Sequence, residues 1–450
     1  MANGDARSGA TAVGQFPTDS APRTKTKLNR QQIAGFWASW AGWLLDGMDS
    51  VIYALVLVPA LTDLLPRSGY AATPGNIGFA GSILFALFLV GWGFGFIWGP
   101  IADRFGRTKA LAGTVLVYAF FTGAAALTHN VWELALCRLL AGVGIGGEWA
   151  MAGTYVSESW PEDRRKMGVC LLHTGYYFGF FVAAALNLTV GAAFGWRAMF
   201  LCGLVPVLVS IFVLHSVHEP DHWQRHQESG ADAAQRRVSP LRQIFDARYG
   251  RRTLVNSLLL TVAIIGLWAG AVYEPAAIVT LARQLGWTQA GAARAASYGT
   301  AILSIGTILG CVAIPLMAET IGRRWTLAVY FVVMLVTIPL TFGWAYYLPP
   351  NMALPAFMAL LFVLGLGGAN FGVFSIWLPE QYGTEVRATA FAFCASIGRF
   401  AGAGVNFALA AAVSGMGTLG TPVAVTAIAF ALGLLVIPFA TETKGQPLPK

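Results

Sequence analysis

Five residues carry charge inside long apolar runs of this 450-residue chain: Asp46, Asp49, Arg138, Glu148 and Arg399. A charge near the centre of a bilayer costs at least a few kcal/mol, so each needs a partner or a role. Asp46 and Asp49 stand three apart in Asp46-Gly-Met-Asp49, where one helical face presents both and Gly47 permits close approach. Two carboxyls so placed raise each other's proton affinity, which is proton-carrier chemistry. Arg399 cannot shed its charge, and its planar fork suits a carboxylate. Asn406, seven residues on, and Ser396, one turn back, share its side of a helix. We therefore expect Arg399 to bind a substrate carboxylate, the alternative being a fixed pair with Glu148 or Asp46. Asn370, Tyr176 and Tyr177 complete the expected substrate set. Trp268, Tyr273, Phe371, Phe374 and Trp377 are further ring candidates for a cavity. Glu148 is open between proton carrier, partner of Arg399 and structural acid. His173 reads as a packing residue that could titrate. Glu274, beside Pro275, reads as an outer gate or, by preference, a solvated rim residue.

The elements that hold these residues follow from composition. Hydrophobic residues make up 56% and charged residues only 11%, far from the roughly 25% charged of soluble domains. Continuous apolar runs exclude an alternating β-barrel. Runs fall at 33–61, 76–99, 109–128, 133–157, 167–190 and 197–215. Six more follow at 253–281, 291–318, 325–346, 351–377, 387–412 and 420–440. The expected fold is an all-α membrane protein of twelve transmembrane helices in two pseudo-symmetric halves, 33–215 and 253–440. A polar linker (216–252) joins them, with tails at 1–32 and 441–450. The polar start shows no cleavable signal peptide.

Counted by side, 23 Lys and Arg fall on the face of both termini and four on the other, at Arg67, Arg197, Arg283 and Arg294. That bias places both termini in the cytoplasm. The net charge of +8 is thus a topology signal, not one for nucleic acid. The five cysteines read as packing residues, with no metal-ligand spacing. Gly142, Gly144, Gly146 and Gly147 read as close helix packing rather than a phosphate loop. Trp37, Trp40 and Trp43 are expected at the cytoplasmic interface.

The halves repeat. Gly106-Arg107 recurs 216 residues later as Gly322-Arg323, and Glu158 with Arg165 recurs 222 later as Glu380 with Arg387. Internal repeats place a binding site between halves near the midplane, as in a transporter.

Gly99-Pro-Ile-Ala-Asp103-Arg104-Phe-Gly106-Arg107-Thr-Lys109 resembles the loop signature of the major facilitator superfamily, with a second copy at Glu319-Thr-Ile-Gly322-Arg323-Arg324. Arg138, Glu158 with Arg165, Pro379-Glu380 with Arg387, and Glu442-Thr-Lys-Gly445 extend the resemblance over nearly the whole chain. Asp46-Gly-Met-Asp49 resembles the aromatic acid:proton symporters. Gly144-Ile-Gly-Gly147-Glu148-Trp149 resembles the sialate:proton and metabolite:proton branches. The seventh span lacks the paired glutamines of sugar porters.

The resemblance implies that Asp49 and Arg138 form the proton-coupling pair; as acids buried in the same half, Asp46 and Glu148 are assigned to coupling beside them. It also implies that Asp103, Arg107, Glu158, Arg165, Glu319, Arg323, Glu380 and Arg387 form a cytoplasmic gate, whose solvent-exposed pairs would each be weak. The expected protein is not an enzyme. It is a proton-coupled symporter importing a small organic anion across a bacterial inner membrane, a monomer needing no cofactor beyond protons. Proton-driven efflux is the alternative within transport. A non-transporting sensor is the alternative outside it, disfavoured because the tails are short.

Overall fold

The computed structural model describes residues 26–228 and 239–449, so most of the N-terminal tail and Arg236 and Arg237 of the linker lie outside it. The described chain is helical, and ten helical segments are long and apolar enough to cross a membrane. One of them, Glu162–Ser216, holds two passes that turn back at Gly195 (φ 78°, ψ −172°), a backbone conformation for which glycine is suited. A further helix, Gly250–Gln284, is about 50 Å long at 1.5 Å per residue and brings the passes to twelve.

The first half contains α1 (Arg30–Arg67), α2 (Pro74–Gly93, running on through Trp98–Phe105), α3 (Arg107–Ala125) and α4 (Val131–Ser159). It is completed by α5 (Glu162–Leu186) and α6 (Ala192–Cys202 and Pro206–Ser216). The second contains α7 (Gly250–Gln284), α8 (Gln289–Thr320), α9 (Arg323–Ile338) and α10 (Pro350–Gly368 and Asn370–Trp377). It ends with α11 (Arg387–Met416) and α12 (Gly420–Val425 and Ile428–Val436).

Helix starts follow local chemistry. Asn29 and Gln32 form a reciprocal cap on α1, and the Asn130 side chain accepts from the amides of Trp132 and Glu133 on α4. Small residues then set the spacing. Gly142 and Gly146 lie against the backbone of α2, where an added Cβ would collide with Phe88, Trp92 and Gly95, so α4 packs on α2 almost backbone to backbone. Large apolar side chains such as Phe79, Leu188, Phe194 and Leu435 stay exposed on the outside, as lipid-facing residues do.

Between the halves, α2 packs on α11 and α5 on α8. The ion pairs crossing from one half to the other cluster on the face carrying Arg107 and Arg323, here called the basic face. Among the described residues, no hydrogen bond or ion pair joins the loops of the two halves on the opposite face. The molecule is therefore held shut at the basic face.

Candidate functional site

Asp46 and Asp49 project from the middle of α1 and are fully buried. Asp49 lies 3.7 Å from the Arg138 guanidinium of α4, a distance that leaves the pair loose. Arg138 is held instead between two aromatic faces, Tyr53 of α1 and Phe88 of α2, each 4.3 Å from its central carbon. None of its three nitrogens makes a hydrogen bond.

Glu148 sits one α4 stretch away from Arg138, its carboxyl occupying the space left by the missing side chain of Gly42. It faces the Tyr118 hydroxyl of α3 and is within electrostatic reach of Asp46. Neither oxygen of Asp46 has a hydrogen-bond partner, and its electrostatic neighbours are Glu148, Asp49 and Arg399.

Arg399 comes from the other half, on α11, with its guanidinium 4.1 Å from the centre of the Trp92 ring of α2. Its Nε and Nη1 have no partner, and it makes no ion pair among the described residues. The fixed pairing with Glu148 or Asp46 considered from sequence is thus not formed in this conformation. Asp46 thus neighbours Asp49 and Glu148 of its own half and Arg399 of the other, and that second-half cation keeps part of its hydrogen-bonding fork free.

The polar residues expected around Arg399 are placed less uniformly. Tyr176 of α5 is an electrostatic neighbour of both Asp46 and Arg399, and its ring lies 4.9 Å from that of Trp43. Tyr177 lies behind it, packed on Phe180 and His173. Asn370 donates to the Gly367 carbonyl (3.0 Å) and leaves its buried Oδ1 without a partner. Asn406 donates to the Gly402 carbonyl of its own helix (3.0 Å). Ser396 is buried with its hydroxyl unpartnered.

His173 is enclosed by Trp43, Trp149, Tyr177 and Phe371, its Nδ1 without a partner. Trp149 donates to Ser375 across the halves (3.0 Å). The Trp268 side chain lies outside the described residues. Phe374 is buried, and Tyr273 is partly buried in the packing of the second half.

Several expectations need correction. Glu274 is not a solvated rim residue: it is 2% exposed, accepts from the Thr300 hydroxyl (3.2 Å), and has Oε1 unpartnered in space left by Gly299. Trp43 is not interfacial but buried in the cluster around His173, whereas Trp37 is exposed. Trp377 is fully buried and donates to the Thr441 carbonyl near the C-terminus (2.8 Å).

The gate pairs are also not solvent-exposed. Glu158 and Glu380 are buried, as are Arg107, Arg165, Arg323 and Arg387. Glu158 accepts from Arg107 Nε (2.9 Å) and Nη2 (3.1 Å) of its own half and from Arg387 of the other. Glu380 accepts from Arg323 (2.9 Å) of its own half and from Arg165 (3.0 Å) of the other. Asp103 caps the start of α11, accepting from Thr389 N (2.8 Å) and Oγ1 (2.6 Å). Glu319 alone keeps an exposed position, bridging Arg323 (3.1 Å) and Lys166 (2.8 Å).

The structure adds roles, and in Glu219 a residue, that sequence reasoning missed. Gly106 (φ 114°) and Gly322 (φ 88°) turn the chain into α3 and α9, baring the amides that follow. Glu219 accepts from Arg107 N (2.7 Å) and Thr108 N (3.0 Å), and Glu442 from Arg323 N (3.1 Å) and Arg324 N (3.1 Å). Burial pushes the Glu219 carboxyl up while these amides pull it down. The 223-residue spacing of Glu219 and Glu442, near the repeat interval, was the available signal. Tyr53, Phe88, Trp92 and Tyr118 were also missed, and for them only the four-residue spacing of Phe88 and Trp92 hinted at a shared face.

The sequence profile described as "Major Facilitator Superfamily" matches residues 40–318. The chain is 28% identical over 431 residues to a probable 4-methylmuconolactone transporter of Cupriavidus pinatubonensis, covering 92% of each protein. It is 26% identical over 420 residues to a cis,cis-muconate transport protein of Acinetobacter baylyi, covering 92% of this chain and 95% of that one. Among solved structures, a proton:xylose symporter bound to 6-bromo-6-deoxy-D-glucose superposes with a TM-score of 0.75 at 18% identity, over 93% of this chain and 98% of that one.

Proposed function

Because the chain belongs to the major facilitator superfamily, whose members are transporters rather than enzymes, we propose that it imports a small organic anion together with protons by alternating access. The observation that carries this reading is Arg399: a buried cation with Nε and Nη1 unpartnered, on the half opposite three buried carboxyls. A permanent guanidinium with free donors is a receptor for a carboxylate, preferably bidentate. The relatives named for 4-methylmuconolactone and cis,cis-muconate support an organic acid as cargo.

In this reading Asp49 is the proton carrier. Its pair with Arg138, loose at 3.7 Å, is one that a proton on the carboxyl would release. Asp46 and Glu148 extend the acidic group, and Tyr176, Tyr177, Asn370 and Asn406 border the substrate. Protonating one acid while the substrate neutralises Arg399 lowers the charge that must cross in the loaded carrier, because unpaired buried charge is costly. The half-loaded carrier keeps that cost, which makes coupling obligatory. The buried pairs on the basic face hold that side shut and must separate for release. With the basic face in the cytoplasm, the molecule works as a monomer in a bacterial inner membrane with both termini inside.

Proteoliposome uptake tests this. Radiolabelled 4-hydroxybenzoate, cis,cis-muconate, N-acetylneuraminate, lactate and xylose are offered with and without an inward proton gradient, to wild type and Asp49→Asn. Gradient-driven accumulation of one acid, abolished in the variant, is the expected result. Accumulation of xylose alone, or gradient-driven extrusion of the acids, rejects organic-anion import.

A further inference from the structure

One helix touches both cations of the site. Phe88 and Trp92 stand four apart on α2, their rings 5.6 Å apart in an edge-to-face arrangement, and both are buried. The Phe88 ring lies under Arg138 at 4.3 Å, and the Trp92 ring lies under Arg399 at 4.1 Å. Arg138 belongs to the first half and its partner acid is Asp49, whereas Arg399 belongs to the second half. The two guanidiniums are thus joined through a pair of rings in van der Waals contact on a single helix.

We propose that Phe88 and Trp92 are the positioning residues through which the protonation state of Asp49 reaches Arg399. This rests on the symport reading above and deepens it. When Asp49 takes a proton, Arg138 loses its anion but not its hold, because Tyr53 and Phe88 still offer two negative ring faces in a desolvated place. A cation released from a carboxylate settles more closely on those rings. Phe88 cannot move without its edge-to-face partner, since close-packed interiors shift between discrete arrangements rather than deform smoothly. Trp92 is the surface on which the Arg399 fork rests, so its tilt sets where the free Nε and Nη1 point. Other charged or titratable groups facing this cluster are Asp46, Tyr53, Tyr118, Cys137, Glu148 and Tyr176. Asp46 and Tyr176 are also electrostatic neighbours of both Asp49 and Arg399, whereas the ring pair is in direct contact with both guanidiniums.

The first arm of the test measures binding of 4-hydroxybenzoate, cis,cis-muconate, nicotinate and N-acetylneuraminate to purified protein at pH 5.5 and pH 7.5. For an acid that binds, wild type is expected to change affinity about tenfold between the two pH values, within the usual range of coupling. Phe88→Leu and Trp92→Leu should each reduce that ratio to under about threefold, with Phe88→Tyr and Trp92→Phe restoring it. A full ratio in both leucine variants overturns the proposal, and so does failure of the aromatic variants to restore it.

The second arm needs no substrate. Apparent melting temperatures are compared for Asp49→Asn, Arg399→Lys and the double variant, first in wild type and then in Phe88→Leu. Distant sites add, so the expected result is non-additivity in the wild-type background that disappears without the Phe88 ring. Additivity in wild type overturns the relay. If no acid binds wild type, the symport reading fails and this cycle alone decides the inference.

Discussion

Glu158 and Glu380, 222 residues apart, do the same work from opposite halves: each binds an arginine of its own half and one of the other half. The triads Arg107–Glu158–Arg387 and Arg323–Glu380–Arg165 are therefore the two ends of one clamp. Removing one partner of a buried ion pair leaves a bare charge, at a cost of about 3–5 kcal/mol. That cost falls only on the state in which the pair is buried. Glu158→Gln and Glu380→Gln should each shift the population toward a form open at the basic face. Maleimide labelling of a cysteine placed at Ser157, which is buried in the closed form, should accelerate by at least about tenfold, the equivalent of about 1.4 kcal/mol. Unchanged labelling in both variants would show that the clamp does not hold the gate.

Asp103 pairs with Arg107 on the same face (3.1 Å) and adds a second force, a helix cap. Its carboxylate accepts from the backbone and hydroxyl of Thr389, at the first turn of a helix in the other half, where anions are favoured. Asparagine can still cap a helix but brings no charge, whereas alanine does neither. Asp103→Ala should weaken closure by about 0.5–2 kcal/mol, and Asp103→Asn by less. The same labelling assay should rank wild type slowest, then Asn, then Ala. Equal rates for Asn and Ala would assign the effect to charge rather than to capping.

The acids at Glu219 and Glu442 are latches within each half. Each accepts from two consecutive backbone amides just after a positive-φ glycine. Hydrogen bonds to a charged group contribute about 1.5–3 kcal/mol, so Glu219→Ala should unfasten the amides of Arg107 and Thr108 while leaving Arg323 and Arg324 protected. Glu442→Ala should do the reverse. Hydrogen exchange resolved to these segments measures it, and loss of protection in both loops from either variant would mean that the latches are not independent.

The twelve passes and the ion-pairing residues of the basic face were legible because long apolar runs and a repeat near 220 residues survive in the sequence. The repeat matches Glu158 to Glu380, yet equivalence is not contact, and only the fold shows that Glu158 reaches Arg387. Burial was the harder property. In a membrane helix the residues toward lipid and toward protein are equally apolar, so periodicity does not separate Trp37, which is exposed, from Trp43, which is buried. The same blindness hid Phe88 and Trp92 in an unbroken hydrophobic run. Glu274 was misread because its shelter is made by the absent side chain of Gly299 on another helix. Sequence distance carries no record of such a vacancy.

Arg399 gives the sharpest prediction about cargo. Its guanidinium rests on Trp92 and keeps donors free, a geometry for two parallel hydrogen bonds to one carboxylate. Lysine preserves the charge but offers a point donor and a weaker match to the ring face. Arg399→Lys should therefore weaken binding of the transported acid by about 1.5–3 kcal/mol, roughly ten- to a hundredfold, the worth of a charged hydrogen bond. Arg399→Ala should weaken it further. The methyl ester of the same acid, lacking the carboxylate, should bind wild type and Arg399→Lys equally, because the lost interaction is one it never made. Binding isotherms for acid and ester against the three proteins measure this. If transport falls in Arg399→Ala while affinity for the acid is unchanged, Arg399 serves the movement of the halves and the substrate carboxylate is bound elsewhere.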